Sequence, residues 1–359
     1  MLHTLIMAGG GGTRFWPRSR QDKPKQFLRL VGERTLLQQT IDRVEVLAPP
    51  ERTWIITGSR YVAETARQLP ELPGERIIGE PCGRDTAACI GLGAALMLRE
   101  DAGATMLVMP ADHVIEPVQE FRRAIHVADQ LVQEHPAALV TLGIRPTFAS
   151  SGYGYLERGE ALPMKQGLPI HRVEAFREKP AAPLAEQYLV SGRHFWNSGI
   201  FLWKASTILD ALRANQPALA AAVERIAAAW ETPEQDETLS REFAGLPKIS
   251  IDYAVMEKAK EVLVVEAPFV WDDVGSWLAL ERMQPQDASG NTVQANHLGW
   301  QTKNCVIVGD DHKLIATVGV EDLVIIQDGD AILVAHRKDE GNIKKIVEQL
   351  GLKGLEKHQ

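Results

Sequence analysis

Cysteine is scarce in this chain. Cys82, Cys89 and Cys305 are too few for a disulfide framework and one short of a tetrahedral thiolate site. Their spacing follows no zinc pattern, and none of the ten histidines falls in His-Glu-x-x-His spacing. The thiols are therefore expected to be buried or inert in a reducing cytoplasm. Long apolar runs are missing as well. The longest without a charge, Ala87 to Leu98, is shorter than the ~18 residues a membrane span requires. Leu5 to Ala8 lead straight into four glycines with no basic segment before them, which does not resemble a signal peptide. Nor is there a block of Lys or Arg: 39 basic residues stand against 47 acidic ones, a net charge of −8. A sequence-independent grip on nucleic acid needs a concentrated basic face, so that partner is excluded. Phosphate binding by a few placed cations stays open. The expectation is a cytoplasmic protein with neither membrane nor nucleic-acid partner.

What the chain does have is enough apolar material for a sizeable core: 45% of its 359 residues are hydrophobic. At roughly 100–200 residues per domain, two domains are expected, one dominant. In the first half, short apolar runs at 4–8, 53–57, 76–79, 105–110 and 138–144 alternate with helical patterns, of which Leu36, Leu37, Thr40, Ile41, Val44 and Leu47 is one. Near-continuous apolar strands alternating with helices predict an α/β fold, a Rossmann-like mixed, mostly parallel sheet with ligands outside the carboxyl ends of its strands. The pattern loosens after Gly152, and an Ala-rich helical stretch spans about 207–230. After about Met283 come short β-like runs punctuated by Gly309, Gly319 and Asp328-Gly329. Their even spacing predicts a small β-rich domain, a short β-helix or a small sheet, closed by an amphipathic helix with Ile343, Ile346, Val347 and Leu350 on one face. The division expected is 1–283 and 284–359. The apolar stripe must be covered, either by the chain's own large domain or by a second copy in a homodimer.

The first strand ends in Ala8-Gly9-Gly10-Gly11-Gly12-Thr13-Arg14. Such a run lets backbone approach a ligand and turns free N–H groups into an anion-binding nest, although a tight structural turn would use the same residues. A P-loop is excluded because no Gly-Lys pair follows. The dinucleotide fingerprint fails too, since its third glycine would fall on Arg14 or Phe15, and with it fails a nicotinamide dehydrogenase. Arg14 places a forked cation just past the nest, and Lys25 adds a compact one about ten residues on, a set able to take a triphosphate.

Arg14-Phe-Trp-Pro17 and Lys23-Pro-Lys-Gln-Phe27 after this loop resemble the sugar-1-phosphate nucleotidyltransferases, and their wording is most similar to the mannose-1-phosphate guanylyltransferase branch. The resemblance implies a GT-A-like nucleotidyltransferase domain. Glu80-Pro-Cys-Gly-Arg-Asp-Thr-Ala87 resembles the family's base-recognition segment, which brings in Pro81, Asp85 and Thr86; the usual wording has Asn at 85 and Pro at 88. Asp85 reads first as a helix N-cap, while a carboxylate there could also accept from guanine N1–H and N2–H₂. Pro110-Ala-Asp112-His113 ends an apolar strand, where Asp112 could hold Mg²⁺ or simply make a turn, with His113 as a packing or hydrogen-bonding neighbour. Val270-Trp-Asp-Asp-Val-Gly-Ser-Trp277 resembles the second metal motif, with Asp273 the aligned carboxylate and Asp272 its neighbour.

Phe176-Arg-Glu-Lys-Pro180 resembles the sugar-phosphate motif: Glu178 for sugar hydroxyls, Lys179 for the phosphate. Without that context the pair reads as a solvated surface ion pair. Asn197 in Trp196-Asn-Ser-Gly199 can donate and accept to a diol, and Gly154 belongs to the Gly152-Tyr-Gly-Tyr155 loop that closes on the sugar in the family. Asp252, in Ser250-Ile-Asp-Tyr-Ala-Val-Met-Glu257, is read as a helix-start residue. The resemblance implies transfer of a guanylyl group from GTP to mannose 1-phosphate with Mg²⁺ and release of diphosphate. Two alternatives stand beside it: a related enzyme for another sugar, such as a heptose phosphate, or another base, and a non-catalytic homologue. The second expects degraded cations or carboxylates, yet Arg14, Lys25, Asp112, Lys179 and Asp273 are all present. Bifunctional relatives carry an extra isomerase domain, for which these residues leave no room.

Overall fold

The computed structural model describes residues 1–10 and 12–359; Gly11, one of the expected phosphate-loop glycines, lies outside the described residues. Packing divides the chain into two compact units. The first comprises Met1–Gly9, Ile41–Ala111 and Ile115–Trp271, the second Gly10–Thr40, Asp112–Val114 and Asp272–Gln359. A single cut in the sequence does not produce this division, because a stretch near the amino end packs with the tail.

The first unit is built on a nine-stranded sheet. Its strands in chain order are β1 Leu2–Met7, β2 Thr53–Gly58, β3 Ile77–Glu80, β4 Thr105–Pro110, β5 Leu139–Ile144, β6 Tyr155–Lys165, β7 Leu168–Arg177, β8 His194–Lys204 and β9 Val262–Glu266. They lie in the order β3-β2-β1-β4-β8-β5-β9-β7-β6, and a further pairing of β6 with β8 closes the last five into a ring. Followed through the pairings, seven of the nine strands share one sense; β7 and β8 oppose them. The four strands β3, β2, β1 and β4 are wholly parallel, with Ile6 beside both Ile55 and Met109. They read as unbroken apolar runs because both faces are covered.

Helix α1, Thr86–Glu100, explains the longest apolar run. Every residue from Ala87 to Met97 is buried, so the helix is apolar all round. Two glycines permit this. A Cβ on Gly93 would come within 2.9 Å of Leu5, and one on Gly91 within 3.1 Å of Leu212. The helix thus sits flush between β1 and two further helices, α2 Ala205–Asn215 and α3 Pro217–Ala228. The sequence reads those two as one stretch. Pro217 breaks it: proline has no N–H to continue a helix, and here it opens the next one. Among the described residues no helix is long and apolar enough to cross a membrane. Cys89 and Cys305 are buried and Cys82 is half-buried, all as free thiols.

The second unit carries six short strands: β10 Thr292–Gln294, β11 Asn296–Trp300, β12 Val306–Val308, β13 Leu314–Val318, β14 Leu323–Asp328 and β15 Ala331–His336. β10, β12 and β14 stack in parallel, β11 and β13 do the same beside them, and β15 closes as a hairpin on β14. The even glycine spacing therefore marks successive turns of a coil, and Gly329 (φ 51°) makes the hairpin corner. Val306, Val308, Val324, Ile326 and Leu333 form one core with Phe15, Trp16, Leu28 and Leu30 from the amino-terminal stretch. The closing helix α4, Ile343–Leu352, adds Ile343 and Val347 to that core, with Leu350 packed against it. Its stripe is thus largely covered by its own unit; Ile346 is half exposed. The open apolar residues lie elsewhere, at Leu298, Trp300, Leu314 and Val318 on the β11–β13 pair and at Ile332 and Val334.

Candidate active site

Gly12, Arg14, Lys25, Asp112 and Asp273, all expected site residues, lie in the second unit. Gly12, at φ 55°, turns the loop into the short 3₁₀ turn Thr13–Phe15; a Cβ there would lie 2.6 Å from the Lys25 backbone N. Only glycine allows the loop to lie against Lys25 in this way. Phe15 is anchored edge-on against Trp277, with ring centroids 5.0 Å apart, and the Trp277 indole donates to the Trp16 carbonyl at 3.2 Å. Arg14, between these anchors, stays exposed and donates to the Gly275 carbonyl at 3.3 Å.

Lys25 is the hub. Its side chain is only 10% exposed. The ammonium donates to Asp112 Oδ2 at 2.7 Å and to the Asp273 carbonyl at 2.5 Å. One cation thus draws together two aspartates that are far apart in sequence. Burial pushes the Asp112 carboxyl up, but the charges of Lys25 and then His113, with the Lys25 hydrogen bond, outweigh it and hold the group below its ordinary range. His113 Nε2 stands 3.9 Å from Asp112 Oδ1. Asp272, the alternative to Asp273, is fully committed: Arg282 grips it at 2.6 and 3.0 Å and the Val274 N–H donates to it at 2.7 Å. The Asp273 carboxylate folds over Gly275, where a Cβ would lie 3.1 Å from Oδ2. Among the described residues no group of three or more His, Cys, Asp or Glu side chains could hold a metal.

The sugar-motif residues gather in the first unit. Asn197 N–H donates to the Gly154 carbonyl at 2.8 Å. A Cβ on Gly154 would meet Glu178 Oε2, so any larger residue there would push the Glu178 side chain aside. The loop around it is held by Tyr153 stacked edge-on against Trp196 and Trp271, at 5.0 and 5.2 Å. Glu178 is nearly buried and accepts from Lys179 Nζ at 2.5 Å, whereas Lys179 is 60% exposed. Burial draws Lys179 down, but the hydrogen bond and charge of Glu178 lift it above its ordinary value. The Glu178 N–H is tied to Glu257 Oε1 at 3.1 Å.

In the base-recognition segment, Asp85 caps α1. At φ 65° its carboxylate accepts the Thr86 N–H at 2.8 Å. The Thr86 hydroxyl accepts from the Ile251 N–H at 2.8 Å, and Pro81 is exposed. Sequence reasoning passed over Glu80. It ends β3, is 7% exposed, and its Oε1 has no hydrogen-bond partner. Its other oxygen would lie 3.7 Å from a Cβ on Gly9. Burial first, then the charge of Asp85, pushes Glu80 up to about 7. The rule that singled out Asp112, an acid at the carboxyl end of a buried strand, would have found Glu80 as well. Ala8 is buried, its N–H on Ile56 and its carbonyl on Thr57, while Gly9, Gly10 and Thr13 are exposed.

Residues 3–290 match the Nucleotidyl transferase family, and the chain belongs to it. Residues 295–350 match a MannoseP isomerase/GMP-like beta-helix domain. A mannose-1-phosphate guanylyltransferase of Klebsiella pneumoniae is 41% identical over 98% of this chain and 74% of its own length. Another, of Escherichia coli strain K12, is 38% identical over 100% of this chain and 75% of its own. A solved structure from Thermus thermophilus, described as a mannose-1-phosphate geranyltransferase, is 39% identical with a TM-score of 0.86, covering 98% of this chain and 99% of that one.

Proposed function

We propose that the chain transfers the guanylyl group of GTP to α-D-mannose 1-phosphate, releasing diphosphate and forming GDP-mannose. The observation that carries the reading is the meeting of Asp112 and Asp273 on the Lys25 ammonium, beside Arg14, in a chain so similar to mannose-1-phosphate guanylyltransferases. A phosphate oxygen of the sugar phosphate attacks the α-phosphorus in line and diphosphate leaves from the opposite side. Both groups are already competent, so no general base is required, and the protein's work is alignment and charge neutralisation.

Arg14 and the N–H groups of the glycine turn bind the triphosphate, with Lys25 holding the cluster in register. Lys179, a largely exposed side chain, takes the sugar phosphate, while Glu178 and Asn197 take sugar hydroxyls over the Gly154 backbone. The donor set fits Mg²⁺: two aspartates offer hard oxygens, and this ion normally fills its other positions with phosphate oxygens and water. Asp112 and Asp273 would hold it, and when bound it supplies positive charge at the α-phosphate. We further infer a cytoplasmic enzyme that pairs with a second copy through the open apolar face of β11 and β13.

The deciding assay pairs each nucleoside triphosphate with a panel of sugar 1-phosphates in Mg²⁺ and follows diphosphate release. GTP with mannose 1-phosphate should react best; an inert response there, with another pair turning over well, removes the substrate assignment. The division of labour among cations has its own check. Arg14→Ala and Lys25→Ala should damage nucleotide binding or turnover, and Lys179→Ala should raise KM for mannose 1-phosphate with GTP affinity largely intact. Equal responses of both substrates to all three substitutions would refute it.

Glu80 completes the reading of the base. Ionised, its two oxygens can accept guanine N1–H and N2–H₂ together; protonated, it can accept only one. Because Glu80 titrates near 7, KM for GTP should rise as pH falls below that value. Glu80→Gln should flatten this pH dependence and cut the preference for GTP over inosine triphosphate, which lacks the 2-amino group, by roughly tenfold or more. An unchanged preference in the variant would take Glu80 out of base recognition.

A further inference from the structure

Asp252 stands on a four-residue helix, Ile251–Ala254, whose cap is Ser250; the Ser250 hydroxyl accepts the Tyr253 N–H at 3.4 Å. The helix-start explanation for an acid here is thus already met by another residue. Beyond these local bonds the Asp252 carboxylate reaches a different element, and its Oδ1 accepts Asn197 Nδ2–H at 3.0 Å. On its other side the Asn197 amide oxygen accepts the Gly199 N–H at 3.2 Å. These two partners dictate which way the amide faces. Turned over, it would set oxygen against carboxylate and NH₂ against N–H.

The arrangement is costly for folding. Asp252 faces a second carboxylate, Glu178. Burial and then that charge push Asp252 up to about 7, with its own backbone N–H, then Lys179 and the Ser250 hydroxyl, offsetting only part. Two facing carboxylates, each only partly exposed, are a poor choice for a purely structural contact. The fixed amide is the return. The Thr141 hydroxyl also stands 3.5 Å from the Asn197 amide oxygen, but its single proton goes to the nearer Ile200 carbonyl at 3.0 Å, so one N–H and one lone pair of Asn197 remain in set directions, beside Gly154 and Glu178.

We propose that Asp252 is a positioning residue of the sugar subsite: it locks the Asn197 amide so that one donor and one acceptor meet adjacent hydroxyls of a hexose 1-phosphate, and it thereby sets discrimination between epimers. The inference rests on the sugar-phosphate reading of Glu178, Lys179 and Asn197 given above. The full-length protein is compared as wild type, Asp252→Asn and Asp252→Leu, with GTP against mannose 1-phosphate and glucose 1-phosphate.

Asp252→Leu should raise KM for mannose 1-phosphate about tenfold or more. KM for GTP should stay within about twofold, and the preference for mannose over glucose should narrow. Asp252→Asn keeps an oxygen acceptor for Asn197 and should restore most of the mannose 1-phosphate KM. Asp252→Ser, too short to reach the amide, must behave like Leu and takes its place if the Leu chain misfolds. A folded Leu or Ser variant with unaltered sugar KM and epimer preference overturns the proposal, as does equal loss toward GTP and sugar in every variant. A wild type that prefers another hexose 1-phosphate refutes the substrate assignment alone, and the same KM comparison on that sugar then decides Asp252.

Discussion

Asp112→Asn and Asp273→Asn should each lower turnover by orders of magnitude across a Mg²⁺ titration, while circular dichroism should show a folded chain. The reasoning starts from Lys25. Its ammonium is nearly buried and is satisfied by Asp112 Oδ2 and the Asp273 carbonyl. An asparagine at 112 still offers an oxygen to that ammonium, and one at 273 leaves the carbonyl untouched, so neither change strands a buried charge. What both remove is negative charge at the donor positions proposed for Mg²⁺. Charge stabilisation of that kind contributes several kcal/mol to comparable reactions, on the order of a thousandfold in rate. Asp272→Asn gives the opposite signature. It loosens the Arg282 fork and should lower the melting temperature more than the intrinsic turnover of the folded fraction. Near-normal turnover and metal response in both the 112 and 273 variants would end the paired-carboxylate site.

A chain ending at Met283 should lose turnover altogether, not merely its ability to assemble. Val306, Val308, Val324, Ile326, Leu333, Ile343 and Val347 are all lost, and all are buried against Phe15, Trp16, Leu28 and Leu30. At roughly 1.5–3 kcal/mol for each fully buried aliphatic side chain, the deficit is on the order of 10 kcal/mol, comparable to the whole net stability of a domain. Further ties go with them, including the Trp16 indole on the His358 carbonyl at 2.6 Å and the Leu278 N–H on Glu340 at 2.9 Å. Arg14 and Lys25 would be left on an unsupported segment. Turnover and thermal unfolding of the shortened chain measure this directly, and retained activity contradicts it. Trp300→Glu in the intact chain isolates assembly: light scattering should report a smaller particle with turnover preserved.

Much of the first unit could be read from the sequence because its central strands are covered on both faces and therefore carry unbroken apolar runs. The antiparallel β8 was harder, since its Trp-Asn-Ser-Gly stretch breaks the pattern and pairing partners leave no local trace. Strand-end logic joined to motif wording expected Asp112 and Asp273 to converge on Mg²⁺; that both also reach the Lys25 ammonium, Asp273 through its backbone carbonyl, was not foreseen. Asp272 and Asp273 cannot be separated from sequence, because which of two adjacent acids meets Arg282 depends on a backbone turn through Val274 at φ 46°. Glu80 and Asp252 were missed for a different reason. Their significance lies in what surrounds them, an orphaned buried oxygen in one case and a cap already supplied by Ser250 in the other. Phe15, Trp16, Leu28 and Leu30 announce burial without saying against what, so the union of 10–40 with the tail was invisible.

That union limits how the protein can be recombined. Residues 10–40 and 272–359, with the short piece 112–114, pack as one block despite being separated along the chain. A chimera that imports only the tail of a relative would juxtapose two halves of a core shaped for different partners, with the misfit falling under Arg14. Exchanging both ends together keeps the indole of Trp277 against Phe15 and the carbonyl of Trp16. The workable seams for building hybrids therefore lie near Gly9, Thr40 and Trp271 rather than at the border where the β-coil begins.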